Sequence, residues 1–342
     1  MTFNEGIVVN TSQTCDIKKI TQGVAFDCFR AVGRGMPVTP SSLLALILLD
    51  EPSGALTWKQ IEEKAHDIID YCQHLKIPVT KSLMGEQQQD SLRSALDTFM
   101  ANKKLDVIKR ERLNQVFYAV KKEARVEILY HKNMILHHFL VPAFINSAWF
   151  NIFNGQIKDN MALSRFLHEH RLELKYEFYL PTVREMITHA REIVSYSLGR
   201  EVANLDEALR FSPAELFQLA SKVRHFSTAF SYLYEAYYLA SISSKYLIGE
   251  TFTSERFLQV AQELFAMELE HGRVVKYPES FTTPILKDTL EYLENQKALV
   301  KQDGGKYTVV DPAKVDFLIE KFLRALNDQV AINLKFNRGQ HS

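Results

Sequence analysis

Apolar residues recur at helical spacing along most of the chain. An apolar run at 41–50 follows Pro40 and ends before the turn-forming residues 51–54, which predicts a buried helix. Thr57 is typical of a helix N-cap. The apolar residues that follow it share one helical face: Trp58, Ile61, Ala65, Ile68, Ile69 and Cys72. We therefore expect a mostly α-helical protein, a helical bundle.

Short alternating stretches follow predicted helices and indicate β-hairpins. Residues 106–120 alternate after a helix predicted at 91–105. Near the C-terminal end, Gly304 and Gly305 supply a tight turn between two short strands that follow another predicted helix. Helices followed by a two-stranded wing have the order of a winged helix, so we expect winged-helix-like units carrying short hairpins. A weaker hairpin is predicted at 200–213.

The centre of the chain is rich in aromatic residues. Residues 122–138, 163–178 and 216–247 are predicted to form long helices. The last of them carries aromatic residues at a spacing typical of core packing: Phe226, Phe230, Tyr232, Tyr234, Tyr237 and Tyr238. A lipid or acyl groove lined by these rings is the alternative.

Residues 134–153 are nearly long enough to span a bilayer. They contain His137 and His138, whose polar rings are unfavourable in hydrocarbon. Near the middle, Pro142 lacks an N–H and would leave a backbone carbonyl without a partner there. We therefore expect a buried pair of helices broken near Pro142. A segment lying at the membrane interface is the alternative.

Composition indicates an ordinary globular protein of two or three units. The 342 residues include 41 basic and 41 acidic side chains, which balance to zero net charge. From the helix pattern we expect units at 1–125, 126–250 and 251–342. The scattered Cys15, Cys28 and Cys72 are predicted to be free thiols in a reducing compartment, and the N-terminus lacks the pattern of a signal peptide, so a cytoplasmic location is expected.

Motifs for known chemistries are absent from the sequence. It contains no GxSxG, P-loop, GxGxxG or HExxH motif. His168 and His170 are two residues apart on a predicted helix, so their rings point in different directions and do not form a metal site. None of the 11 histidines is followed five positions later by Asp. We therefore expect no catalytic residue, no metal and no cofactor in this chain.

One segment carries an excess of positive charge. Residues 101–132 contain nine Lys or Arg against four Asp or Glu. With a winged-helix fold this leaves open a stand-alone nucleic-acid-binding regulator. The basic residues alternate with acids, however, which is typical of a solvated helix face and disfavours nucleic acid as a partner. Anionic headgroups or a partner domain are further candidates for this surface.

The string at 128–145, ILYHKNMILHHFLVPAFI, resembles a segment of the bacterial-type membrane glycerol-3-phosphate acyltransferases. Those proteins carry a tyrosine, a basic residue and Asn, then an apolar stretch with His and a Leu/Val-Pro-Ser/Ala step. Similar stretches follow the family's order at 40–49, 172–179, 226–239 and 286–310.

The resemblance implies the region that follows the acyltransferase domain. The catalytic half, with its His-x4-Asp and Gly-rich phosphate motifs, lies upstream in those enzymes, so no catalytic residue carries over. They acylate the 1-hydroxyl of glycerol 3-phosphate from a thioester of coenzyme A or acyl carrier protein. We expect an accessory region that packs on an acyltransferase catalytic domain and is peripheral to the cytoplasmic membrane. A fragment, a split-gene product, a stand-alone homologue and an enzyme with an unrecognised site all stay open.

Five residues of the matching string form the candidate site: Tyr130, Lys132, Asn133, His137 and Pro142. Polar side chains at a helix bend commonly satisfy free backbone groups. The alternative is a headgroup or domain contact by Lys132 and His137. On that hypothesis, Lys132→Ala leaves folding intact and weakens association. Residues 277–280 are expected to cap the following helix.

Overall fold

A computed structural model describes residues 17–338 of the chain, except residues 52, 176, 275 and 276. The described part is built from α-helices and two small antiparallel sheets of three strands each, which confirms the mostly α-helical class. In chain order the elements are α1 (Ile17–Gly35), α2 (Pro40–Leu49), β1 (Leu56–Thr57), α3 (Trp58–His74), α4 (Gln88–Ala101), β2 (Leu105–Arg110), β3 (Gln115–Val120), α5 (Arg125–Leu136), α6 (Leu140–Phe153), α7 (Asn160–Leu174), α8 (Val183–Leu198), α9 (Pro213–Val223), α10 (Ser231–Tyr246), β4 (Thr251–Phe252), α11 (Ser254–Glu270), α12 (Thr283–Asn295), β5 (Leu299–Lys301), β6 (Tyr307–Val309) and α13 (Pro312–Arg338).

The predicted start of α3 is confirmed. The Thr57 side chain accepts a hydrogen bond from the Gln60 backbone, and the Thr57 backbone N–H donates to Gln60 Oε1 at 2.9 Å. This capping box satisfies two N–H groups that would otherwise lack partners at the helix terminus. The predicted apolar face of α3, including Ile61 and Cys72, lies in the core.

Residues 40–136 and 231–338 repeat one order of elements: helix, strand, helix, helix, hairpin, helix. The sheets also share their strand order, β1-β3-β2 and β4-β6-β5. Both predicted hairpins are confirmed, with Leu105 opposite Val120 in the first and Leu299 opposite Val309 in the second. The winged-helix assignment of the two repeats stays a prediction.

The hairpin predicted at 200–213 is wrong. Residues Leu205–Arg210 form a 3₁₀ helix, because Asn204 and Glu207 make a capping box at its start. The Glu207 carboxylate also accepts from the Ala203 backbone at 2.9 Å. These local hydrogen bonds use donors that a strand would need for a ladder.

The break predicted near Pro142 is confirmed, and a second break divides a segment that was predicted to be one helix. The segment 134–153 bends at a 3₁₀ turn, His137–Phe139, and Pro142 lies in the first turn of α6, where its missing N–H is not needed. The segment 216–247 is divided into α9 and α10. The carbonyl of Val223 accepts from the Asn146 side-chain amide there, and the chain continues as a 3₁₀ turn.

A single large apolar cluster extends from Val38 to Ile332. Helix α2 is buried from Ser42 to Leu49, and α10 is buried from Ser231 to Ser244. The aromatic residues predicted to pack at 226–238 are buried, which confirms core packing. Among the described residues, none of the helices combines the length and apolar character needed to cross a bilayer. The division into three units stays a prediction.

Candidate functional site

The five candidate residues lie along one segment but do not all converge on one neighbour. Tyr130, Lys132 and Asn133 belong to α5, His137 opens the 3₁₀ turn, and Pro142 belongs to α6. Tyr130 is exposed, whereas only 2% of Lys132 is accessible. The segment therefore offers several separate contacts and not one convergent cluster.

Lys132 joins α5 to the end of α2. Its Nζ lies 2.6 Å from Asp50 Oδ1 and 5.1 Å from the ring centroid of Tyr232. The Tyr232 hydroxyl donates to Asn133 Oδ1 at 3.0 Å, and burial raises the pKa of Tyr232 well above its usual value, so it stays neutral. The headgroup contact suggested for Lys132 does not agree with this burial, because the ammonium group is enclosed with a carboxylate.

A second cation reaches the same helix end. Arg125 binds Glu279 through two hydrogen bonds of 2.6 and 2.8 Å, and its Nη2 also donates to the Leu49 carbonyl at 3.4 Å. Cations near a helix C-terminus stabilise the exposed carbonyls and the helix dipole. We call Asp50, Arg125, Lys132 and Glu279 the α2 clasp.

The role predicted for residues 277–280 is wrong. Thr282 is the N-cap of α12, and Glu279 is 1% exposed and pairs with Arg125. A buried carboxylate needs a cation or hydrogen-bond donors, and Arg125 from a distant segment supplies both. The sequence could not show this pair because 154 residues separate its members.

Two adjacent histidines hold the C-terminal end of α1. His137 Nε2 lies 2.6 Å from the Gly33 carbonyl oxygen, and His138 Nε2 lies 2.8 Å from the Met36 carbonyl oxygen. Burial lowers the pKa of both imidazoles, that of His138 to about 4. Both are neutral at pH 7, and an Nε2–H on each ring donates to the backbone. His137 is therefore bonded to this chain's own helix, which does not fit the suggested headgroup contact.

Further contacts fix one side of α1 against α8 and the preceding loop. Arg30 donates two hydrogen bonds to the Glu185 carboxylate, at 2.8 and 2.7 Å. The Phe29 ring stacks on Tyr179 with centroids 5.0 Å apart, and Phe26 meets the same ring edge-on at 5.6 Å. These polar and aromatic contacts attach helix α1 to α8 and to the loop before it.

A cavity of about 350 Å³ lies beside these contacts. Its walls include Leu140, Phe178, His189 and Glu177. Glu177 Oε1 is buried with no hydrogen-bond partner, and burial, with a smaller contribution from Asp288, raises the pKa of this carboxyl to about 7. The cavity therefore contains a carboxyl group that can hold or release a proton near neutral pH.

One buried histidine was not selected from the sequence. His225 Nε2 and Arg224 Nη2 lie 3.0 and 2.9 Å from the same oxygen of Asp67. Burial lowers the pKa of His225 to about 4, so the neutral ring donates to the carboxylate at pH 7. The pair joins α3 to the bend after α9 and was not visible in the sequence, because its members are 158 residues apart.

The described residues contain no group of three or more metal-ligating side chains. Fold and contacts together define a class of protein: a mostly helical assembly in which buried charged and polar side chains join distant helices. The chain belongs to the family of the glycerol-3-phosphate acyltransferase C-terminal region, whose family model matches residues 10–302. The resemblance noted in the string at 128–145 is confirmed. Membership associates the chain with glycerol-3-phosphate acyltransferases and lipid biosynthesis.

Proposed function

We propose that this chain acts as the non-catalytic C-terminal region of a glycerol-3-phosphate 1-O-acyltransferase. It packs on an acyltransferase catalytic domain at the cytoplasmic face of the membrane. One observation carries the proposal: residues 10–302 match the C-terminal region, while none of the 11 histidines has an Asp five positions on. The base that would take the proton from the acceptor hydroxyl is then supplied by the partner domain.

The surroundings of the histidines support a structural role for this chain. His137 and His138 bind backbone carbonyls, and His225 binds a carboxylate. Each is held neutral at pH 7 by burial. Nucleophilic catalysis requires a histidine hydrogen-bonded to the serine, cysteine or threonine that it activates, and these Nε2 contacts go instead to carbonyl and carboxylate oxygens.

The hairpin β2–β3 supports the membrane part of the proposal. Val107, Ile108 and Val116 are exposed there, next to the exposed Lys109 and Arg110. Aliphatic side chains beside cations are a combination that suits an anionic bilayer surface.

The nucleic-acid alternative has less support. In a winged-helix arrangement α4 would face the nucleic acid, yet α4 exposes Asp90 and Asp97. Carboxylates at those positions would repel phosphates.

The test combines purified chain with an acyltransferase polypeptide of this family that carries His-x4-Asp. Acyl transfer is followed as thiol release from palmitoyl-CoA with glycerol 3-phosphate, in vesicles of phosphatidylethanolamine and phosphatidylglycerol. We expect no turnover by the chain alone, co-purification with the catalytic polypeptide, and higher turnover by the pair. Turnover by the chain alone, or no association at any lipid content, would contradict the proposal.

A further inference from the structure

Helix α1 carries a stripe of exposed apolar side chains. Ile17, Cys28 and Val32 are eleven and four residues apart and therefore share one face, with the half-buried Val24 beside them. Ile17 is 79% exposed and Val32 is 60% exposed. Exposed apolar side chains grouped on one face of a helix suit a surface that binds another protein.

The contacts of α1 hold this stripe outward. Gly33, Phe26 and Arg30 lie about half a helical turn away from the stripe, and they are the residues bonded to or stacked on His137, Tyr179 and Glu185. The side of the helix that carries Arg30 and Gly33 is therefore bonded to the protein, whereas Ile17, Cys28 and Val32 are exposed. Because the helix is already fixed, a partner would not have to order it on binding.

The position of α1 in the chain indicates the partner. Helix α1 is the first described helix of the matched range 10–302, and that range is the C-terminal region of its family. The remainder of such an acyltransferase joins at the N-terminal boundary of this region, next to α1. Arg30 is bound to Glu185 at 2.7 Å, so this cation of α1 is not free to meet anionic headgroups.

We propose that the apolar stripe of α1 is the surface that binds the acyltransferase catalytic domain. The inference rests on the proposed function and specifies its interface. The partner surface is expected to be apolar at its centre, because the stripe offers aliphatic side chains and one thiol and no charged group.

The first experiment measures binding of the catalytic polypeptide by isothermal titration. Ile17→Glu with Val32→Glu places two charges on the stripe, and Val330→Glu is the matched control, on α13, where Val330 is 55% exposed. We expect the Kd of the double variant to rise at least tenfold and that of the control to change less than twofold. Circular dichroism checks that both variants keep the helical content of the unaltered chain.

The second experiment uses the exposed thiol of Cys28 in a Cys15→Ser background. Maleimide labelling of Cys28 should slow at least fivefold when the catalytic polypeptide is added. Equal binding by all variants and unchanged labelling would overturn the inference and leave the proposed function standing. If the unaltered chain does not bind the polypeptide, both fall. The inference is also overturned if the stripe variants lose self-association or vesicle binding but bind the catalytic polypeptide as tightly as the unaltered chain does.

Discussion

The α2 clasp gives a sharp prediction for Lys132. Replacement by Met keeps the length and apolar stem of the side chain and removes its charge, which leaves Asp50 buried without this cation. The two groups are 2.6 Å apart, with side chains 2% and 5% exposed. Removing one member of a buried ion pair typically costs about 3–5 kcal/mol. We expect Lys132→Met to lower the free energy of unfolding by an amount in that range.

A second substitution separates the charge from the packing. Asp50→Asn combined with Lys132→Met removes both charges, and an apolar or neutral replacement of a whole buried pair is often close to neutral. The double variant should therefore recover at least about 1 kcal/mol of the loss seen in Lys132→Met. Lys59→Met is the matched control, because Lys59 is 85% exposed and its pairing with Glu63 at 3.9 Å is a surface contact. It should cost less than about 0.5 kcal/mol.

The assay is urea unfolding followed by circular dichroism at pH 7, with the fluorescence of Trp58 and Trp149 as an independent probe. Equal losses in Lys132→Met and Lys59→Met would refute the assignment of Lys132 to a buried structural pair. Full stability together with weaker partner association would instead restore the surface role suggested by the sequence.

Three further predictions concern titration and reactivity. Folding lowers the pKa of His138 from 6.5 to about 4, so its contribution to stability is present above pH 6.5 and is lost as the pH falls towards 4. In unfolding experiments across that pH range, His138→Gln should reduce the loss of stability in acid by up to about 3 kcal/mol. Folding raises the pKa of Glu177 from 4.5 to about 7, so its contribution to stability is present below pH 4.5 and is lost as the pH rises to 7. Relative to the unaltered chain, Glu177→Gln should therefore become more stable as the pH rises through that range. A difference in unfolding free energy that does not change with pH would contradict this. Burial raises the pKa of Cys72 to about 12, so maleimide at pH 7 should label Cys28 in folded protein and Cys72 only after unfolding, as mass spectrometry of the peptides would show.

Local signals in the sequence were sufficient for the regular elements. Pro40 and Thr57 mark helix starts, and Gly304 and Gly305 mark a hairpin turn, because each acts on its own backbone. The structure confirms all of these. The family could also be predicted, since the string at 128–145 carries its resemblance in residue types alone.

The contacts of the candidate site could not be predicted from local sequence signals, because they join residues that are far apart in the sequence. The sequence singles out Lys132 as a demanding position, but its partner Asp50 is 82 residues away. A lysine on an amphipathic helix is usually solvated, and only the fold shows that this one is enclosed. The bend after α9 also depends on a residue distant in the sequence, because the side-chain amide of Asn146, 77 residues earlier, donates a hydrogen bond to the Val223 carbonyl.

The first helices of the two repeats, α2 and α10, are both buried, but their polar groups find hydrogen-bond partners in different ways. Helix α2 has an almost wholly apolar sequence, and its polar end is bound by Arg125 and Lys132. Helix α10 buries serines along its length, and each of three, Ser241, Ser243 and Ser244, donates to the carbonyl four residues earlier at 2.7–3.0 Å. Such internal bonds let hydroxyl groups enter a core without outside partners. The polar end of α2 therefore depends on side chains of another helix, α5, whereas these three serines of α10 are satisfied within their own helix.

The segment that begins with α5 connects several parts of the fold. Within residues 125–146, Lys132 holds the end of α2, His137 holds the end of α1, and Asn146 holds the end of α9. Each contact satisfies a helix C-terminal region, where carbonyls or nearby acidic groups need donors. A partner that bound α1 would thus contact an element whose position is set through His137 by the same segment that orders α2. His137 contacts α1 on the side away from the stripe, so charges placed on the α1 stripe should disturb binding and leave the α2 clasp intact.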